Sequence, residues 1–226
     1  MAILFDLDGT LLDTSHDIHD AVNALLISEH KTPVSYEAVR PFISFGGRKI
    51  LAQALNLDVL NSQSDKAYLD KIIPKFLEFY RQTNFKRTFA FPGINQLLTD
   101  LETMPITWGI VTNKIQSLTE PLLKTTGYYD RSACVVCGDT TNNPKPHPAP
   151  LHHACNLLQI APNQCLYVGD SETDIQAGKA AGMATMAVSF GYIPDGVSVA
   201  DWQADYIANT ATEILPWVRK WATRNV

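Results

Sequence analysis

A chain of 226 residues that is 46% apolar and 18% charged has enough apolar material for a real core, and it has room for one domain carrying an insertion or for two small domains. Its formal net charge of −5, with no Lys/Arg cluster longer than a residue pair, argues against nucleic acid as a general partner. No apolar run approaches a membrane span, and the N-terminus has an acid at its sixth residue and no basic n-region followed by an apolar stretch, so no signal peptide and a cytoplasmic protein are expected; a monomer or homodimer is also expected.

The N-terminal stretch sets the theme. Ala2 to Phe5 is a short, bulky apolar run that reads as a strand buried on both faces, and it stops abruptly at Asp6-Leu7-Asp8-Gly9-Thr10. Asp6 and Asp8 are two apart, so an extended backbone sends both side chains to the same side. Two adjacent carboxylates repel unless a cation lies between them or one keeps a proton. Gly9 allows a sharp turn and brings a bare N–H towards an anion, and Thr10 adds a hydroxyl. The stretch reads as a site for a metal and a phosphate.

Residues 16 to 29 carry Ile18, Ala21, Val22, Leu25 and Leu26 at helical spacing, with Thr14 or Ser15 as the cap. Helical patterning continues to about residue 82. Leu51, Ala54 and Leu55 form one face, and Leu69, Ile72, Ile73, Phe76 and Tyr80 form another, with Pro74 expected to kink or split the last helix. Residues 16–88 therefore read as an all-helical insertion between 1–15 and 89–226. After Phe91-Pro92-Gly93 the pattern alternates. A helix over 94–103 leads to a strand over 106–112, then to a helix from Ser117, where Ser117 and Glu120 predict a capping box. Further strands fall near 133–136, 165–169, 184–188 and 205–208, with helices over 149–159, 174–181 and 212–222. Such alternation predicts an α/β fold, a Rossmann-like parallel sheet with helices on both faces, in which ligands lie beyond the carboxyl ends of the strands.

The polar residues fall at those ends: Thr112-Asn113-Lys114, Gly169-Asp170-Ser171-Glu172-Thr173-Asp174 and, between them, Asn143-Pro144-Lys145-Pro146. Asp170, with Asp174 one helical turn on, adds carboxylates to the first pair, an oxygen cluster suited to Mg2+. Thr112 offers a hydroxyl and Asn113 an N–H to a phosphoryl oxygen, while Lys145, stiffened by two prolines, is a fixed positive charge. No Walker-type loop or dinucleotide fingerprint is present. Cys134 and Cys137 have Cys-x-x-Cys spacing but no second such pair, and buried free thiols are the expectation. His16, His19, His152 and His153 make no ligand set and are expected in solvated or capping roles.

Phe5-Asp6-Leu7-Asp8-Gly9-Thr10-Leu11-Leu12-Asp13-Thr14 resembles the first signature of the haloacid dehalogenase-like (HAD) hydrolases, and the stretches at Thr112, Lys145 and Asp170/Asp174 resemble the other three in order and type. The resemblance implies the HAD fold with a small inserted helical cap. It also implies Asp6 as nucleophile, Asp8 as general acid/base, and Mg2+ held by Asp6, the Asp8 carbonyl, Asp170 and Asp174, the last directly or through water. Gly9, Thr112, Asn113 and Lys145 would bind phosphate. An acid at position 8 separates the chain from true dehalogenases and from ion-pumping ATPases, leaving ester hydrolysis or, as in a sugar phosphomutase, phosphoryl transfer. Within the superfamily the chain resembles phosphoglycolate phosphatases and, closely, N-acetylmuramic acid 6-phosphate phosphatases. Trp108 to Lys114, Gly169-Asp170-Ser171 and Gly191-Tyr192-Ile193 fit both. In Ser44-Phe45-Gly46-Gly47-Arg48, Arg48 is a candidate partner for a substrate carboxylate, or else a solvated residue in a helix–helix turn. The expected partner is a small phosphorylated metabolite, 2-phosphoglycolate first. A phosphate-binding module without turnover is the alternative from outside enzymology.

Overall fold

The computed structural model describes residues 1–83 and 85–224. In chain order the strands and α-helices are β1 (Ala2–Phe5), β2 (Leu12–Asp13), α1 (Ser15–Ser28), α2 (Tyr36–Val39), α3 (Gly47–Ala54), α4 (Gln63–Thr83), β3 (Phe89–Ala90), α5 (Ile94–Glu102), β4 (Thr107–Val111), α6 (Gln116–Thr126), β5 (Val135–Val136), α7 (Ala149–Leu158), β6 (Cys165–Gly169), α8 (Glu172–Ala180), β7 (Ala184–Val188), β8 (Tyr206–Ala208) and α9 (Ile214–Arg224). The chain divides into two compact units, one of Met1–Asp13 with Ala90–Val226 and one of Thr14–Phe89.

The first unit is built on a six-stranded sheet of order β5-β4-β1-β6-β7-β8 among the described residues, with every neighbouring pair parallel. β1 lies inside the sheet and all four of its residues are fully buried, which is why it reads as a continuous apolar run without alternation. On one face α7 and α8 bring Leu151, Ala154, Cys155, Ala177 and Ala181 against Leu4, Val111 and Tyr167. α5 packs against β4 and α9, burying Ile94, Leu97, Leu98 and Leu101. Chain order moves outward from β1 to β4 and β5 and then returns to β6 on the other side of β1. The strand order thus reverses between β1 and β6, where such sheets open a crevice at their carboxyl ends.

Register decides what meets there. Phe5 is level with Ile110 on one side and Val168 on the other. The next residues along the three strands are Asp6, Val111-Thr112 and Gly169-Asp170, so the polar strand ends arrive at one height.

The second unit is helical. α1 and α4 pack together, burying Ile18, Ala21, Val22, Leu25 and Leu26 of one and Leu69, Ile72, Phe76 and Tyr80 of the other. Pro74 does not split α4, which runs as one 21-residue helix. A proline inside a helix costs about 3 kcal/mol, and four buried apolar side chains, each contributing about 1.5–3 kcal/mol, outweigh it. The predicted Ser117/Glu120 capping box is absent: α6 begins at Gln116, and the Asp139 carboxylate from a later loop accepts the Gln116 N–H at 2.8 Å. Glu120 is occupied instead by Lys124, one turn on, and by the Gln116 side chain. A cap supplied across a loop has no local sequence signature.

Asp17 is fully buried in the helical unit and ties the return of the chain to α1. Its carboxylate accepts the Arg87 N–H at 2.9 Å and the Thr88 hydroxyl at 2.7 Å, while its carbonyl accepts the Thr83 hydroxyl. Replacement Asp17→Ala orphans a buried N–H and a hydroxyl, and is expected to lower stability by about 2–3 kcal/mol in urea denaturation. A loss under about 0.5 kcal/mol would show that this carboxylate does not secure the junction.

Candidate active site

The ammonium of Lys145 occupies the centre of the strand ends. It donates to Asp6 Oδ1 at 2.8 Å, Asp174 Oδ1 at 2.6 Å and the Tyr167 hydroxyl at 2.7 Å, with the Val111 carbonyl at 3.2 Å. An ammonium has three N–H groups, and the three short contacts use them all. The Tyr167 hydroxyl passes its own proton to the Val111 carbonyl at 2.8 Å. Lys145 is held from behind as well: its N–H and carbonyl both bond the side-chain amide of Asn113, at 2.9 and 3.0 Å. The Lys145–Pro146 peptide is cis. Asn113 therefore clamps the lysine loop with its side chain, a role its position beside Thr112 did not reveal.

Burial is the largest influence on Asp6 and raises its carboxyl. Lys145 opposes that, Asp174 and Asp8 add repulsion, and the result is a carboxyl pushed up to about 7. For Lys145 burial works against the charge, but Asp174 and Asp6, by charge and hydrogen bonding, outweigh it and hold the ammonium above the ordinary lysine value. Burial also keeps the Tyr167 phenol well above its usual value, so it remains a protonated donor.

Asp174 carries two duties. Its Oδ1 accepts Lys145, and its Oδ2 accepts the Ser171 N–H at 3.1 Å and hydroxyl at 2.6 Å, closing a capping box at the start of α8. Asp170 is walled by glycines. A Cβ on Gly9, whose φ is +90°, would lie 2.0 Å from Asp170 Oδ2, and one on Gly191 would lie 2.4 Å from the Asp170 Cβ. The Tyr192 N–H donates to Asp170 Oδ2 at 2.8 Å, and the Tyr192 hydroxyl bonds Asp13 at 2.9 Å. Side-chain oxygens of Asp6, Asp170 and Asp174 all lie within 4.8 Å of one another. Such a set of hard anionic oxygens, in a cradle too tight for an added methyl, fits a small divalent cation.

Asp8 is the part-exposed acid of the group. Lys114 donates to both of its oxygens, at 3.0 and 3.3 Å, with its own side chain only 4% exposed. Thr112 is buried and its hydroxyl accepts the Lys114 N–H at 3.1 Å. Of the residues singled out in the sequence, Asp6, Asp8, Gly9, Thr112, Asn113, Lys145, Asp170 and Asp174 belong to the first unit. Arg48 lies in the helical unit, where its guanidinium pairs with Asp70 on an exposed face. Sequence reasoning assigned no role to Lys114, Tyr167 or Ser171. Lys114 had a signal, a charge directly after a buried strand; Tyr167, a phenol within an apolar strand two residues before Gly169, had a fainter one. Cys134 and Cys137 are buried free thiols, His19 bonds the Val34 carbonyl, and His16 stacks on Tyr36.

A parallel α/β sheet whose switch point gathers four carboxylates and two lysines is an arrangement suited to holding a cation and an anion at its strand ends. The comparisons give the family. Residues 3–188 match the family model described as haloacid dehalogenase-like hydrolase. The chain is 39% identical over 203 residues to a phosphoglycolate phosphatase of Xylella fastidiosa strain 9a5c, covering 90% of this chain and 86% of the relative. It is 36% identical over 214 residues to an N-acetylmuramic acid 6-phosphate phosphatase of Pseudomonas aeruginosa, covering 95% and 92%. The crystal structure of a predicted phosphoglycolate phosphatase from Haemophilus somnus 129PT superposes with a TM-score of 0.83 at 25% identity, covering 96% of this chain and 97% of that one. The chain belongs to the haloacid dehalogenase-like hydrolases.

Tyr167→Phe deletes the hydroxyl that takes the third N–H of Lys145 and leaves the ring packing intact. The expected result is a fall in stability of about 1–3 kcal/mol in denaturant melts, since the ammonium and the Val111 carbonyl each lose a buried partner. A variant as stable as the parent would show that this hydroxyl does not hold Lys145.

Proposed function

We propose that the chain is a Mg2+-dependent phosphomonoester hydrolase that forms a phosphoryl-aspartate at Asp6, acting on a small carboxylate-bearing phosphate ester, 2-phosphoglycolate first. The observation that carries this reading is the bond from Lys145 to Asp6: a buried carboxylate at a sheet switch point, partnered by a buried ammonium whose three N–H groups all have acceptors. Asp6, the Asp8 backbone carbonyl and Asp170 would hold the cation, with Asp174 direct or through water. When bound, Mg2+ supplies charge neutralisation for the carboxylates and the phosphoryl oxygens.

The remaining steps belong to the chain. An Asp6 oxygen attacks phosphorus in line, a P–O bond to Asp6 forms, and the bond to the ester oxygen breaks. Asp8 gives its proton to the departing alcohol, then takes one from the water that attacks the phosphoryl-aspartate, so inorganic phosphate leaves and both acids are regenerated. Lys145 favours the ionised form of Asp6 and aims it, Asp174 and Tyr167 keep Lys145 in place, and Thr112 and the Gly9 turn offer donors to phosphoryl oxygens. A second substrate, N-acetylmuramic acid 6-phosphate, is supported by the likeness to the Pseudomonas aeruginosa phosphatase across nearly the whole chain. Arg48 remains the candidate reader of the carboxylate that both substrates share, a role that requires it to leave Asp70.

Asp6→Asn is expected to abolish hydrolysis of p-nitrophenyl phosphate, and Asp8→Asn to slow it by about 10²–10⁴-fold; ordinary turnover by the Asp6 variant would remove the nucleophile assignment. Mg2+ is expected to raise Tm, reversibly by EDTA, and more at pH 8 than at pH 6. Asp6 has its folded value raised to about 7, so in the metal-free protein its contribution to stability is full below the unfolded value near 3.8 and is lost as pH rises through 7. The cation restores that loss, and below 7 the proton competes with it. An Mg2+ shift that is equal at both pH values would contradict the assignment of Asp6 as a ligand. Arg48→Ala is expected to reduce kcat/KM for 2-phosphoglycolate at least about tenfold more than for p-nitrophenyl phosphate, and equal effects would exclude Arg48 from substrate recognition.

A further inference from the structure

The site holds two lysines, and their surroundings differ. Lys145 has its three N–H groups committed to Asp6, Asp174 and Tyr167, its backbone clamped by Asn113, and its side chain 3% exposed. Lys114 also starts from a fixed backbone: its N–H bonds Thr112 and its carbonyl accepts the Gly138 N–H. Its ammonium, however, lies across both oxygens of Asp8, the acid on the more open side of the group.

Two consequences follow from charge and hydrogen-bond capacity. A phosphate dianion entering the site needs an ammonium, and Lys145 meets it only by giving up a buried partner, which is costly. The Lys114 ammonium lies across both oxygens of Asp8, the oxygens that must reach a leaving group. Transfer of Lys114 from a singly charged carboxylate to a doubly charged phosphoryl group meets both needs with no covalent change.

We propose that Lys114 is a substrate-binding residue that moves from Asp8 to the phosphoryl oxygens when a phosphate ester enters, while Lys145 stays with the nucleophile. The proposal rests on the phosphatase reading above. It divides the positive charge of the site between a lysine that serves Asp6 and a lysine that serves the substrate and, by leaving, releases Asp8.

The probe is inorganic phosphate, titrated calorimetrically into the Mg2+-loaded protein and used as an inhibitor of p-nitrophenyl phosphate hydrolysis. Lys114→Met is expected to weaken phosphate at least about tenfold and to raise KM by a similar factor, with Lys114→Arg recovering most of both. Asp8→Asn, which removes the charge facing the Lys114 ammonium, is expected to bind phosphate at least about tenfold more tightly than Asp8→Asn/Lys114→Met, a comparison that stands even if the single methionine variant does not fold. Phosphate affinity within twofold of wild type in Lys114→Met, or equal affinities in the two Asp8→Asn proteins, would overturn the proposal while leaving the phosphatase reading intact. A wild-type protein that neither binds phosphate nor hydrolyses the ester would overturn both.

Discussion

A buried ammonium must be surrounded by acceptors, and the need to satisfy Lys145 orders the whole carboxyl end of the sheet. Its partners come from three strands and one helix: Asp6 follows β1, the Val111 carbonyl ends β4, Tyr167 lies within β6, and Asp174 lies in the first turn of α8 beyond β6. Removing any one would leave charge or a polar group stranded where water does not reach, so the ion is a constraint on four segments at once. The group also explains why Asp174 caps α8: one carboxylate holds the helix start with one oxygen and the lysine with the other.

The excess of acids is the other side of that constraint. Four carboxylates share the region with two ammoniums, and Asp6 responds to burial and to its acidic neighbours by rising to about 7. The glycines at positions 9 and 191 leave Asp170 no room to swing away, so the repulsion is not relieved by a side chain turning outward. A site so arranged is incomplete as pure protein. Its three closest acids, Asp6, Asp170 and Asp174, could bind a metal ion, and the proposed phosphoryl transfer to Asp6 would use that ion together with a bound anion.

Much of this was legible in the chain. The apolar run Ala2–Phe5 ending in paired acids, and the later strands ending in Thr112 and Gly169-Asp170, place chemistry at strand ends because buried parallel strands are mostly apolar until they emerge. The α1 stripe was legible because five apolar residues at helical spacing leave little else to form, and all five are buried. Pro74 and the α6 cap misled because local rules were overridden by contacts distant in sequence: the apolar seam with α1 in one case, Asp139 in the other.

The sequence by itself determined the alternation of strand and helix, the four acids, Lys145 and the family, since these depend on residue types and short spacings that pattern and chemistry constrain locally. The tertiary structure alone decided that Asn113 clamps a lysine 32 residues away, that Tyr167 turns its hydroxyl into the ion pair, and that Lys114 reaches Asp8 across 106 residues. Those contacts are set by strand register and by the order in which strands lie side by side, and neither quantity has any expression in the spacing of residues along the chain.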